Sequence, residues 1–265
     1  MRENILSGKK EKLHYYVCPT RDKMGKLSAE IAAKKINENI NRKGNARIIF
    51  ASAPSQNEFL HYLTKDKSID WSRVVGFHMD EYIGLPKESN QWFRIYLEEN
   101  LINKTDIKKF HFMDGMEDWK TMKEKYEGLL NEAPIDIVCL GIGENGHIAF
   151  NDPPVADFND PELIKKVELD IYSRQQQVND GCFGDLSQVP THALTLTIPA
   201  LTSASTLVCT VPGPTKKSAV YKVLNDTIST ACPATVLRKH EDAYLILDKD
   251  AYGGNKYVHN DNSRD

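Results

Sequence analysis

Apolar positions along this chain alternate between two periods. From 27 to 41, Leu27, Ile31, Ile36 and Ile40 recur at four- to five-residue steps with Ala32 beside Ile31, and together they line one helix face. Residues 46–51 are instead a nearly continuous apolar run, as are 73–79, 135–140, 206–211 and 243–247, and each predicts a short buried strand. Helical segments at 56–64, 91–101, 119–130 and 215–224 fall between these runs. Strands that are apolar on both sides and separated by helices predict an α/β fold: a Rossmann-like, mainly parallel sheet with helices on both faces. Residues 155–190 are polar and irregular and take no assignment. No repeat or linker interrupts the pattern, so 1–265 reads as a single α/β domain with a frayed polar tail from about 254 to 265.

Composition narrows the function classes. A net charge of −3 gives no electrostatic reason to expect nucleic acid. No apolar run approaches the ~18 residues of a membrane span, and the first residues lack a signal-peptide core. Five cysteines stand singly at 18, 139, 182, 209 and 232, without the pairing of a zinc site or a disulfide framework. A cytoplasmic protein is the expectation.

The chemistry concentrates just past strand ends, where ligands bind in parallel sheets. The run 135–140 empties into G-I-G-E-N-G-H-I-A-F-N-D-P-P over 141–154. Its G-x-G-x-x-G suggests a dinucleotide fingerprint, which needs a helix opening at the third glycine. Pro153 and Pro154 fall in the second turn of that helix, and interior proline costs about 3 kcal/mol. The glycines are better suited to a tight loop presenting His147 and Asp152. A second strand end, F-H-M-D-E-Y-I-G-L-P over 77–86, carries Asp80 and Glu81 side by side. Neighbours on an extended chain point to opposite sides, so the two are not expected to share one task. A carboxylate and an imidazole from converging strand ends suit acid–base work on a small polar molecule.

Two strand-to-helix turns are weaker candidates. V-P-G-P-T-K-K over 211–217 could seat a phosphate at a helix start with Lys216, or simply cap the helix. A-S-A-P-S-Q over 51–56 could hold an anion with Ser52 and Ser55, or be an ordinary cap. Arg174 stands among four amide side chains at 175–179, a cluster read by default as a solvated helix face. His61, His78, His147 and His192 lack metal-ligand spacing, and no metal is expected.

The segments M-D-E-Y-I-G-L-P (79–86), 141–153, Q-V-P-T-H-A-L-T (188–195) and G-P-T-K (213–216) resemble the glucosamine-6-phosphate deaminase/isomerase family. That family is related to the 6-phosphogluconolactonases, which show D-E-R and G-H-T-A-S at the first two places. The likeness runs colinearly from about 20 to 250. It implies conversion of an amino-sugar 6-phosphate, glucosamine 6-phosphate first, to a ketose 6-phosphate and ammonia, without cofactor. On that model Asp80 moves a proton between C2 and C1, and His147 opens the ring, oriented by Asn145 and Asp152. The substrate-binding set would be Glu81, Gly143, Gly146, Ser52, Ser55 and Lys216. The expected partner is a small sugar phosphate, with neither nucleic acid nor membrane, and homo-oligomerisation is left open.

This chain departs from the family in three places. The phosphate loop, usually of the form P-T-G-x-T-P, is here A-S-A-P-S, and Pro54 removes a backbone donor. An arginine common after the position of Arg174 has no counterpart. Asp152 stands where Glu is usual, and Asn145 where some members have Asp. These changes bear on the phosphate grip, so another amino-sugar phosphate such as a galactosamine phosphate is an open substrate. The alternatives are a lactonase or plain isomerase on the same scaffold, or a sugar-phosphate sensor without turnover.

Overall fold

The computed structural model describes residues 5–253, so the tail expected over 254–265 lies outside the described residues. In chain order the elements are β1 (Leu6–Lys10), β2 (Leu13–Cys18), α1 (Arg21–Lys43), β3 (Ala46–Phe50), α2 (Asn57–Lys65), β4 (Val74–His78) and β5 (Asp80–Tyr82). Next come α3 (Phe93–Asn100), β6 (Lys109–His111), α4 (Trp119–Asn131), β7 (Ile137–Leu140), β8 (Ile164–Glu168) and α5 (Ile171–Asn179). The chain continues through β9 (His192–Leu196), α6 (Ile198–Thr202), β10 (Thr206–Val211), α7 (Lys217–Asn225), β11 (Ala243–Asp248) and α8 (Lys249–Tyr252).

Eight strands form one sheet in the order β1-β2-β11-β10-β7-β3-β4-β6. Only the β1–β2 hairpin is antiparallel; every other pairing is parallel. The expected α/β architecture is therefore present, with two apolar layers over the sheet. Ala46, Ile48 and Phe50 of β3 pack with α1 and α2 on one face. Ile49 joins Val138, Leu140 and residues of α4 and α7 on the other. This alternation is the period-2 geometry of a strand buried on both sides. Arg47 sits in that pattern without an apolar side chain. Its Nη2 donates to the carbonyls of Leu129 (2.6 Å) and Leu130 (3.2 Å), closing the last turn of α4.

Helix α1 begins six residues earlier than its apolar period suggests, because Thr20 caps it by accepting from the Lys23 N–H at 3.2 Å. It ends at Gly44 in the left-handed region, φ 88°. The region 155–190 is not irregular. It contains β8 and α5, and β8 joins β9 and β5 in a second, antiparallel sheet of order β5-β9-β8. Strand β8 escaped the period-2 reading because its buried residues, Ile164 and Val167, lie three apart.

The main sheet positions the site. From β3 the chain proceeds outward to β4 and β6; from β7 it returns the other way, to β10 and β11. The connections leaving β3 and β7 therefore diverge, opening a crevice at the carboxyl ends of two adjacent strands. β4 contributes by a different route: after Met79 the chain leaves the main sheet and enters the second one as β5.

Candidate active site

The crevice is a cleft of about 520 Å³, counted to its open mouth, and sized for a small molecule. Its walls include Ser52 and Ser55 after β3, Asp80 at the start of β5, Gly143 and His147 after β7, and Lys216 after β10. Phe93 of α3 and Gln176 and Gln177 of α5 complete it.

The loop after β7 makes turns and an isolated bridge between Ile148 and Asn151, with no helix at the third glycine. Gly143 is required by proximity: a Cβ there would lie 2.1–2.3 Å from the His147 ring. Gly146 is required by conformation, at φ +87°, and its face abuts Cys232 Sγ. Thus Gly143 lines the cleft beside the imidazole, whereas Gly146 supports the loop from behind. Asn151 is fully buried, and its amide donates to the carbonyls of Ile148 (3.0 Å) and Leu196 (2.8 Å). The Phe150 N–H donates to Thr195 Oγ1 at 3.1 Å. Both contacts fasten the His147 loop to β9, the strand that also pairs with β5 in the register Asp80↔Thr195.

Around the imidazole three oxygens crowd one nitrogen. His147 Nδ1 is 2.8 Å from Asn145 Oδ1, 2.9 Å from Ser173 Oγ and 3.0 Å from Asp152 Oδ1. Asp152 Oδ1 in turn accepts from Asn145 Nδ2 at 2.8 Å and from Ser173 Oγ at 2.5 Å. Burial alone would push the Asp152 carboxyl up, but its contacts with His147, Asn145 and Ser173 outweigh that and hold it below the usual carboxylate range. No partner reaches His147 Nε2 among the described residues.

Asp80 is the opposite case. It is 7% exposed, no hydrogen bond reaches its carboxylate among the described residues, and burial pushes its pKa up to about 8. A bare carboxylate with that basicity is matched to taking a proton from carbon near neutral pH.

Glu81, one residue on, does not reach the cleft. Its carboxylate accepts from the N–H groups of Tyr82 (2.9 Å), Phe93 (3.1 Å) and Arg94 (3.1 Å). It occupies the N-terminus of α3, whose own cap residue Trp92 offers no side-chain acceptor. The expected substrate contact is therefore corrected to a helix cap. Burial raises its pKa to about 8, with the three N–H groups pulling the other way.

At the other end of the cleft, Lys216 is 5% exposed, and burial lowers its pKa, with Asp180 and Glu144 acting in the opposite direction. It ends a short 3-10 turn, Pro214–Lys216, so α7 starts one residue beyond it. Ser52 Oγ is buried without a partner. Ser55 Oγ accepts from Gln56 Nε2 at 3.1 Å. Pro54 opens a 3-10 turn rather than an α-helix, and its carbonyl accepts from Arg21 Nη2 at 2.6 Å.

Ser173, Gln176 and Gln177 were not in the expected site. They lie on one face of α5, at i, i+3 and i+4. Gln176 Oε1 accepts from the Glu144 N–H at 2.9 Å, tying α5 to the His147 loop. Arg174 points the other way, to the carbonyls of Leu186 (2.8 Å) and Val189 (2.9 Å). The available signal was the amide cluster itself, too polar to be a core face and partly buried all the same. Among the described residues no group of three or more His, Cys, Asp or Glu side chains is placed to hold a metal ion.

Residues 19–246 match the family described as glucosamine-6-phosphate isomerases/6-phosphogluconolactonase. The chain belongs to this family. It is 36% identical over 224 residues to a glucosamine-6-phosphate deaminase of Bacillus thuringiensis (strain Al Hakam), covering 84% of this chain and 83% of that one. The same figures hold for a glucosamine-6-phosphate deaminase of Bacillus cereus (strain AH820). Among solved structures, a monomeric glucosamine-6-phosphate deaminase superposes with a TM-score of 0.82 at 27% identity, over 91% of this chain and 98% of that one. A 6-phosphogluconolactonase from Thermotoga maritima shares the fold, with a TM-score of 0.74 at 21% identity over 90% and 100% of the two chains.

Proposed function

We propose that the protein converts an amino-sugar 6-phosphate and water to a ketose 6-phosphate and ammonia, with glucosamine 6-phosphate the first substrate. The observation that supports this most is a buried, unpaired carboxylate, Asp80, sharing one cleft with an imidazole held only through Nδ1. His147 Nε2 takes the proton of the anomeric hydroxyl and returns it to the ring oxygen, releasing the open-chain aldehyde. Asp80 then removes the C2 proton while one proton of the substrate ammonium passes to O1, giving an enolamine, and Asp80 delivers its proton to C1. The resulting C2 imine adds water and loses ammonia. Asn145 and Asp152 orient His147 and stabilise its transient positive charge. Lys216, with Ser52 and Ser55, receives the phosphate.

The amino group has a role before it leaves. Among the described residues Asp80 has no cation acting on it, and a substrate ammonium beside it favours the carboxylate form. A plain sugar phosphate brings no such charge. Five unpaired cysteines, four of them buried, suit a reducing compartment, and we place the enzyme in the cytoplasm. No described helix is long and apolar enough to cross a membrane.

Ammonia release with glucosamine 6-phosphate and galactosamine 6-phosphate tests the reading and assigns the epimer. Release from at least one, lost in Asp80→Asn, is the expected result. Folded protein that binds these sugars and releases ammonia from none of them is a sensor instead.

A further inference from the structure

The hydroxyl of Ser173 has no role in the chemistry above, yet it lies at the centre of the polar cluster. It comes from α5, a different element from the loop that carries His147, Asn145 and Asp152. It is 1% exposed and touches both members of the His147–Asp152 pair, at 2.9 and 2.5 Å.

We propose that Ser173 is a positioning residue that fixes His147 in the tautomer carrying its proton on Nδ1, so that Nε2 is free to open the sugar ring. The inference rests on the deaminase reading and deepens it. It follows from counting protons. At 2.5 Å from Asp152 Oδ1, one of the two oxygens must carry a hydrogen, and with the carboxylate ionised it is the serine. Its hydrogen being committed, Ser173 Oγ presents only lone pairs to Nδ1. Asn145 is committed in the same way. Its Nδ2 donates to Asp152, so the oxygen is the atom turned to Nδ1. That oxygen also accepts from the His147 backbone N–H at 3.0 Å, which fixes the orientation of the amide. A nitrogen facing the acceptor sides of three oxygens within 3.0 Å must be N–H. The other tautomer would set its lone pair against all three.

The consequence for the reaction is directional. The anomeric hydroxyl can pass its proton to Nε2 only if that atom holds a lone pair in the resting enzyme. When Nε2 is protonated, the same three oxygens stabilise the imidazolium through its Nδ1–H. Loss of the serine oxygen leaves Asn145 and Asp152 to perform both tasks and returns one donor short to the carboxylate.

The test uses the whole protein labelled with 15N-histidine. Ammonia release by the unsubstituted enzyme is read first, because its absence for every amino-sugar 6-phosphate overturns the deaminase reading and this inference with it. Given turnover, the 15N spectrum of His147 is expected to show a protonated Nδ1 and an unprotonated Nε2. The reverse pattern in the unsubstituted enzyme overturns the role of Ser173 without any variant. In Ser173→Ala we expect kcat to fall roughly 10- to 100-fold, the range for one hydrogen bond to a charged group, with KM little changed. The 15N signals should shift toward a tautomer mixture, and Ser173→Thr should restore both. Unchanged kcat, or a fall in kcat with the tautomer intact, overturns the proposal while leaving the deaminase activity standing.

Discussion

Asp80 and Asp152 are the same residue type, both buried, one lining the cleft and the other behind His147, and their pKa values move in opposite directions. The strand end after β4 leaves the Asp80 carboxylate without a hydrogen bond among the described residues, and its pKa rises to about 8. The loop after β7 surrounds Asp152 with an imidazole, an amide and a hydroxyl, and its pKa falls. Burial is common to both, so the difference lies in the imidazole beside Asp152, through its hydrogen bond and its charge, together with the Asn145 and Ser173 donors. On the proposed chemistry, the carboxylate that carries a proton is the bare one, and the carboxylate that holds a neighbour in place is the satisfied one. Two acids whose surroundings drive their pKa values apart mark the division of labour in a site.

The largest effect should come from breaking the bare member. Asp80→Asn is expected to lower turnover roughly 10²- to 10⁴-fold, the span of general base catalysis, in an ammonia-release assay. The same variant should be more heat-resistant than the unsubstituted protein at pH 9. Because folding raises this group's pKa from 3.8 to about 8, its contribution to stability is complete below about pH 4 and is lost as pH rises through 8. Thermal melts at pH 6 and pH 9 check this: the gain from Asp80→Asn must grow with pH. In the unsubstituted enzyme, kcat/KM should rise as pH rises toward and through 8, as Asp80 ionises.

Next is the satisfied member. Asp152→Asn should cost turnover about 10²-fold by freeing the imidazole. Its stability effect has the opposite sign. Folding lowers the Asp152 pKa, so the contribution is present above the unfolded value of 3.8 and disappears as pH falls through the folded one. The variant should melt lower than the unsubstituted protein at pH 7, and the gap should close in acid.

Lys216→Met sharpens the comparison by leaving both acids alone. Loss of a charge-assisted phosphate contact should raise KM roughly 10- to 100-fold with a smaller change in kcat. If kcat collapses instead, Lys216 belongs to the reacting end. The smallest effect on chemistry should come from Glu81→Gln. Glu81 is buried like Asp80 and its pKa is also raised to about 8, but it caps α3. Stability should fall by about 1–2 kcal/mol, measured by denaturant unfolding, with turnover within a few-fold. Burial by itself does not make a catalytic base.

What was readable in the sequence follows the same division. β10 could be read to the residue, and α4 and β11 to within one, because apolar side chains facing an apolar layer leave a clear period. Asp80, His147 and Asp152 stood out as polar groups just past strand ends, and the family resemblance added Asn145 and supplied the roles proposed for all four. α5 was legible only as a solvated helix face around Arg174, and its buried side was missed for a physical reason. Its inner face holds Ser173 and Gln176, polar groups turned toward a polar site, so no apolar stripe marks it as a helix. The hairpin strand β2 is half-covered, with His14, Tyr15 and Tyr16 only partly buried, and gave no clean pattern. Glu81 misled because its partners, the N–H groups of Phe93 and Arg94, lie twelve and thirteen residues away, beyond any local motif.

Asn151 gives the molecule a property that none of its reacting groups has. By fastening the His147 loop to β9, it puts the imidazole and Asp80 on a common frame, while Ser52, Ser55 and Lys216 extend from strands of the other sheet. The reacting end can thus be inherited as a cartridge. On the proposed chemistry, loops after β3 and β10 are free to change toward a different sugar without moving the two groups that share this frame.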